Sequence, residues 1–119
     1  MGTRCGIALK SGETYQTIYC HYDGYPNYML SMLRKNYNSL ELAAKLISYG
    51  DASCIKKKLE PTGTTHTFMR PEDGVCVFYH RDRGEDWTSC APTCYTESEL
   101  LKQTHFKYIY YFEDEWKQL

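Results

Sequence analysis

The stretch Ile18 to Asn27, reading Ile-Tyr-Cys-His-Tyr-Asp-Gly-Tyr-Pro-Asn, constrains the fold more than any other part of the chain. It reads as a strand that runs into a tight turn and straight on into a helix. Period-two alternation puts Ile18, Cys20 and Tyr22 on one face and Tyr19, His21 and Asp23 on the other. Asp23-Gly24 is a turn dipeptide, because glycine accepts positive φ and aspartate bonds its own downstream backbone. Pro26 suits the first turn of a helix, where its missing N–H costs nothing. One strand-to-helix corner therefore gathers an imidazole, a carboxylate and three tyrosines.

The remaining segments read outward from that corner. Arg4 to Leu9 is a strand, Lys10 to Glu13 a turn and Thr14 to Tyr22 the second arm of a hairpin. Tyr28, Met29, Met32, Leu33 and Tyr37 recur with a 3.6-residue period, predicting a helix over Asn27–Tyr37. Asn38 and Glu41 have the spacing of a capping box for a second helix, with Leu42, Ala43, Leu46 and Ile47 as its buried stripe and Gly50 as its stop. Asp51 to Gly74 is long for a loop, so a strand is expected inside it, over Thr64–Phe68. Val75 to Asp82 is apolar on both faces at its start and reads as a central strand. Trp87 to Tyr95 reads as a loop. Thr96 and Glu99 form a second box, opening a helix through Gln103. Phe106 to Phe112 is a last strand that Glu113-Asp114 turns back into Trp116. The order β-β-α-α-(β)-β-α-β predicts an α+β fold over a single domain, 1–119. Its sheet is mainly antiparallel, of four to five strands, with two to three helices packed on it.

Charge narrows the partners. The 14 basic and 15 acidic residues give a net charge of -1, which argues against a duplex-DNA binder driven by phosphate neutralisation. No apolar run approaches the roughly 20 residues that span a bilayer, so no membrane partner is expected. The start, Met1-Gly2-Thr3-Arg4-Cys5-Gly6, has neither a signal-peptide core nor the hydroxyl residue that myristoylation wants at position 6. A cytosolic setting follows, with its six cysteines reduced. Cys5, Cys20 and Cys76 read as small buried apolar residues.

Twelve tyrosines suit either a partner surface or base stacking, since each joins apolar area to a polar tip. They also suit an ordinary core and sheet surface. Metal binding has little support: Cys90 and Cys94 have an admissible spacing, but no second pair accompanies them. Cys20 and His21 point to opposite sheet faces and form no catalytic dyad. His21 with Asp23, or His80 with Asp82, has the makings of acid–base chemistry, and equally of turn-stabilising hydrogen bonds. The lean is away from an enzyme, with no catalytic residue, metal or cofactor assigned. Binding is the better use of the same groups. His80, Arg81 and Arg83 offer donors for phosphate or carboxylate, and the tyrosines of the corner offer faces for a base. The candidate ligand-binding set is His21, Asp23, Tyr25, His80, Arg81 and Arg83. The plain structural alternative pairs Arg81 and Arg83 with Asp82, Glu85 and Asp86.

Several of these strings together resemble a group of small, largely uncharacterised bacteriophage and prophage proteins. They are Met1-Gly2-Thr3-Arg4, Tyr19 to Pro26, Asn36-Tyr37-Asn38, Ser48-Tyr49-Gly50-Asp51 and Val77 to Asp86. The resemblance implies no settled activity. Phage accessory proteins of this size commonly act by binding in the host cytoplasm, so it implies counter-defence. One form sequesters a nucleotide-derived immune signal; another inhibits a host nuclease or defence complex, and a small nucleotide-processing enzyme stands third. A homo-oligomer is compatible with each.

Overall fold

The computed structural model describes residues 2–119. Its sheet is built on a hairpin of β1 (Cys5–Ser11) and β2 (Thr14–Cys20), paired antiparallel with Cys5 opposite Cys20 and Ile7 opposite Ile18. The chain then turns at the Asp-Gly corner into α1 (Pro26–Asn36) and α2 (Leu40–Ser48). β3 (Ala52–Cys54), β4 (Val77–Phe78), α3 (Tyr79–Arg83), α4 (Trp87–Cys90) and β5 (Thr93–Thr96) follow. α5 (Glu97–Leu101), β6 (Tyr108–Phe112) and β7 (Trp116–Gln118) close the chain.

The fold is α+β, with a mixed sheet where a smaller and mainly antiparallel one was expected. Its seven strands run β4-β3-β2-β1-β6-β7, with β5 on the outer edge of β2. β6 joins β1 in parallel and β3 joins β2 in parallel. β2 therefore has two outer neighbours. β5 covers Thr14–Thr17, and β3 meets only Cys20.

One sheet face carries α1 and α2. Cys5, Ile7, Ile18, Cys20, Met29, Leu33, Leu46, Tyr110 and Trp116 meet there in the main core. Trp116 Nε1 donates to the Tyr37 carbonyl at 2.9 Å, tying β7 to the end of α1. The other face holds a smaller cluster of Ala8, Tyr15, Leu100, Phe106 and Ile109, flanked by Tyr19, Tyr95 and Tyr111. Cys5, Cys20 and Cys76 are fully buried, and all six cysteines are free thiols. Among the described residues no helix is long and apolar enough to cross a membrane.

Five local expectations need correction. The segment Val75 to Asp82 is not a central strand: β4 is two residues long and lies at the sheet edge. From Tyr79 the chain coils into α3 instead. The Asp82 carboxylate accepts the Phe78 N–H at 2.8 Å, and Gly84 closes the helix at φ 76°. A dense run of side chains that bond locally lets a short helix outcompete an edge strand.

Thr64 to Phe68 is not a strand either. Glu72 accepts the N–H groups of Thr62 and Gly63, and His66 Nδ1 accepts the N–H of Glu72 at 2.9 Å. Side chains thus satisfy the backbone where a strand partner would have. The strand within 51–74 is β3, and the expected loop over Trp87–Tyr95 contains α4 and the start of β5.

The second helix is capped one residue later than expected: Ser39, not Asn38, accepts the Leu42 N–H. The Thr96–Glu99 box forms as read from its spacing. In the organising turn the residue at positive φ is Asp23, at 58°, and its carboxylate accepts no hydrogen bond among the described residues. Gly24 serves close approach. A Cβ there would lie 2.5 Å from the Thr3 carbonyl oxygen and 2.7 Å from Cys5 Cβ.

Candidate functional site

Aromatic and imidazole groups gather where β2 ends and β1 and β6 begin, on the sheet face away from α1 and α2. Alternation along β2 places Tyr19 on that face, and the chain keeps His21 beside it after the strand has ended. The Tyr19 hydroxyl and His21 Nδ1 are 2.6 Å apart. The Tyr22 ring meets His21 edge-on at 4.5 Å between centroids. On the same face, from across β1, come His105 and Phe106, the residues just before β6. Their rings are 4.1 Å apart, and Phe106 stacks with Tyr19 at 6.4 Å. Gly6 makes room for this, because a Cβ there would press on the Phe106 ring at 3.1 Å.

Two backbone contacts set the frame. Lys107 N–H donates to the Arg4 carbonyl at 2.9 Å, extending the β1–β6 pairing to Arg4. Asp51 Oδ1 accepts the Tyr19 N–H at 2.9 Å, in the stretch of β2 that neither β5 nor β3 covers.

The electrostatics follow from burial. Asp51 is half-buried, which pushes its carboxyl up to about 6 against the opposing bond from Tyr19. Burial also raises the Tyr19 phenol, while the nearby charge of Arg4 lowers it. Arg4 is exposed and pairs with no carboxylate among the described residues. The patch thus holds a free guanidinium, two imidazoles and several ring faces. Groups of these kinds suit flat, anionic molecules. Among the described residues no thiol joins these rings. Cys20 is fully buried on the opposite face, and its contact with Cys5, together with burial, raises that thiol well above its ordinary range.

Of the six residues picked from the sequence, His21 alone stands in this patch. Asp23 and Tyr25 lie at the same corner, but the Tyr25 ring faces Tyr28 at 6.1 Å on α1. Arg81 sits on the helix side of the sheet, with its guanidinium over Phe78 at 5.0 Å and Tyr49 at 5.3 Å. Its donors go to the carbonyls of Leu59 and Cys76 and to both oxygens of Asp82. His80 Nδ1 bonds the Glu85 carbonyl at 2.8 Å. Arg83 is exposed, stacks over Phe68 at 5.1 Å and lies 3.5 Å from Glu85. The α3 residues are thus engaged with their own neighbourhood, and the structure does not bring them to His21.

The sequence reading missed Arg4, Asp51, His105 and Phe106. The shared face of Tyr19 and His21 was legible from alternation. Their other neighbours arrive through pairings across most of the chain. Cys90 and Cys94 stand apart in character, one buried on α4 and the other exposed on β5. Among the described residues no group of three or more His, Cys, Asp or Glu is arranged to hold a metal ion. A scan against protein-family models and searches of curated proteins and solved structures return no match.

Proposed function

We propose that this protein acts by binding, as a phage-type counter-defence protein in the host cytoplasm, and that its ligand is a nucleotide-derived immune signal. The observation that carries the reading is the patch itself. Tyr19, His21, Tyr22 and His105 crowd one end of the sheet face beside the unpaired Arg4. Ring faces suit a base, and the guanidinium with the imidazoles suits its phosphate. Cys5 and Cys20 are fully buried in the core on the opposite face, which favours sequestration over turnover. The phage setting rests on the resemblance of Met1 to Arg4 and Tyr19 to Pro26.

One observation favours a protein target as the second reading. Tyr22 and Tyr25 are 45% and 41% exposed on either side of the corner, and exposed tyrosines are typical anchors of protein interfaces. A thermal-shift screen against linear and cyclic nucleotides separates the two, because a ligand selective for the native state raises Tm by mass action. It is read alongside the 260/280 nm absorbance ratio and mass spectrometry of anything released from the purified protein. A nucleotide that raises Tm supports the first reading. Flat melting curves with a host nuclease co-purifying support the second.

A further inference from the structure

Resting on the nucleotide reading, we infer that the patch contains a defined phosphate seat: Arg4 and the Nε2–H of His21 hold the phosphate, and Tyr19 is the positioning residue that fixes the His21 tautomer. The hydroxyl of Tyr19 has one partner among the described residues, His21 Nδ1 at 2.6 Å. A phenol with a single imidazole nitrogen in reach donates to it. In a neutral imidazole one nitrogen donates and the other accepts, so the proton sits on Nε2, on the far side of the ring. That nitrogen has no hydrogen-bond partner among the described residues and is free to donate to a ligand.

Tyr19 is itself held, since its N–H is tied to Asp51 and its ring lies between His21 and Phe106. A half-buried carboxylate thus fixes the Tyr19 backbone, and the Tyr19 phenol orients a single imidazole. Arg4 supplies the charge. It shares the alternation phase of Gly6 and Ala8, which face Phe106 and its cluster, and it pairs with no carboxylate among the described residues. Tyr22, edge-on to His21 at 4.5 Å, and His105, centroid 6.3 Å from Tyr19, offer rings for the base. The ligand class is a phosphorylated aromatic, with the phosphate on Arg4 and His21 and the base on a ring next to them.

The tautomer lock has a consequence for binding. Without the Tyr19 hydroxyl, the neutral ring divides between two tautomers, and the Nε2 donor is present only part of the time.

The test uses the full-length protein, calorimetric titration with the four common nucleoside 5′-monophosphates, the parent nucleosides and inorganic phosphate, and long-range ¹H–¹⁵N spectra of the histidines. At least one monophosphate is expected to bind about tenfold or more tightly than its nucleoside, and inorganic phosphate far more weakly than either. Arg4→Gln should abolish the monophosphate's advantage. Tyr19→Phe should bind that monophosphate less tightly than the parent. Its spectra should show mixed His21 tautomers where the parent shows Nε2–H alone. Equal binding of nucleoside and monophosphate, unaffected by Arg4→Gln, overturns the phosphate seat and leaves the nucleotide reading standing. A parent spectrum with the proton on Nδ1 overturns the tautomer lock. If neither nucleosides nor monophosphates bind, the nucleotide reading fails and the seat with it. Should Tyr19→Phe fold poorly, His21→Gln keeps an amide donor and should retain more of the monophosphate's advantage than His21→Ala; equal loss overturns the assignment.

Discussion

The carboxylate of Asp51 accepts the N–H of Tyr19 at 2.9 Å, and so closes the stretch of the outer edge of β2 that neither β5 nor β3 covers. This joins the fold to the candidate site. The residue that completes the strand edge also fixes the backbone of Tyr19, whose phenol faces His21.

Its cost is visible in pH. Burial pushes the Asp51 carboxyl up from 3.8 to about 6, so between those values the native state holds more of the proton than the unfolded chain does. Stability from this group therefore falls as pH rises from about 4 to 6 and stays reduced above that. Asp51→Asn keeps an oxygen for Tyr19 and removes the charge. The variant should match or exceed the parent by about 1 kcal/mol at pH 7.5, a figure discounted for the group's partial exposure. The difference should shrink toward zero at pH 4. Urea titrations of both proteins at the two pH values measure it; a variant less stable than the parent at pH 7.5 refutes the sign.

At the organising corner the two turn residues should respond in opposite senses. Asp23 sits at φ 58°, where a side chain costs roughly 1 kcal/mol. Asp23→Gly should therefore leave Tm unchanged or slightly raised. Gly24→Ala drives a methyl into the Thr3 carbonyl and Cys5 Cβ, and should cost roughly 1–3 kcal/mol. It also disturbs the Tyr110 hydroxyl, which donates to the Gly24 carbonyl at 2.6 Å. Melting curves of the two single variants decide the matter, and equal losses would show that the strain assignment is wrong.

The corner, both hairpin arms, α1, α2, the Thr96–Glu99 box and the last strand were legible because each is written locally. Alternation, a 3.6-residue period or a cap appears within a few residues. α3 was not legible, since five residues are too few to display a helical period. The Tyr-His-Arg-Asp-Arg string continues an apolar run that suits a strand just as well. The parallel pairing of β1 with β6 joins residues about a hundred positions apart and leaves no local trace. Arg4, His105 and Phe106 therefore could not be placed beside Tyr19 and His21 from the sequence. The same limit made Arg81 and Arg83 look alike.

The structure separates those two arginines. Arg81 holds Asp82 and two backbone carbonyls from Leu59 and Cys76. Arg81→Ala leaves a buried carboxylate short of its main partner and should cost about 3 kcal/mol or more. Arg83 lies on the surface beside Glu85, and Arg83→Ala should change stability by less than about 0.5 kcal/mol. Denaturant unfolding of the two single variants gives both values. Equal, small effects would show that Arg81 is a surface group after all.

The long segment between β3 and β4 should come loose through one residue. Glu72 accepts the N–H groups of Thr62 and Gly63 and the Thr62 hydroxyl, and its Oε2 lies 3.4 Å from Lys58 Nζ. Those bonds lower its carboxyl from 4.5 to about 2, led by the Thr62 and Gly63 amides. The stabilisation they lend is present above about pH 4.5 and is lost as pH falls through 2. Glu72 also donates its N–H to His66, whose Nε2 lies 3.1 Å from Asp82, so the same residue links the loop tip to α3. Glu72→Gln removes the charge, and its amide group offers only one accepting oxygen. Amide exchange at Thr62 and Gly63 should then accelerate by tenfold or more at pH 7, and chymotrypsin should cut sooner after Phe68. The β1–β2 amides should keep the parent's protection, because the loop contributes no strand to the sheet. Unchanged exchange at Thr62 and Gly63 would mean that the loop is held by His66 and Arg81 alone. Faster exchange throughout β1 and β2 would mean that it folds as one unit with the sheet.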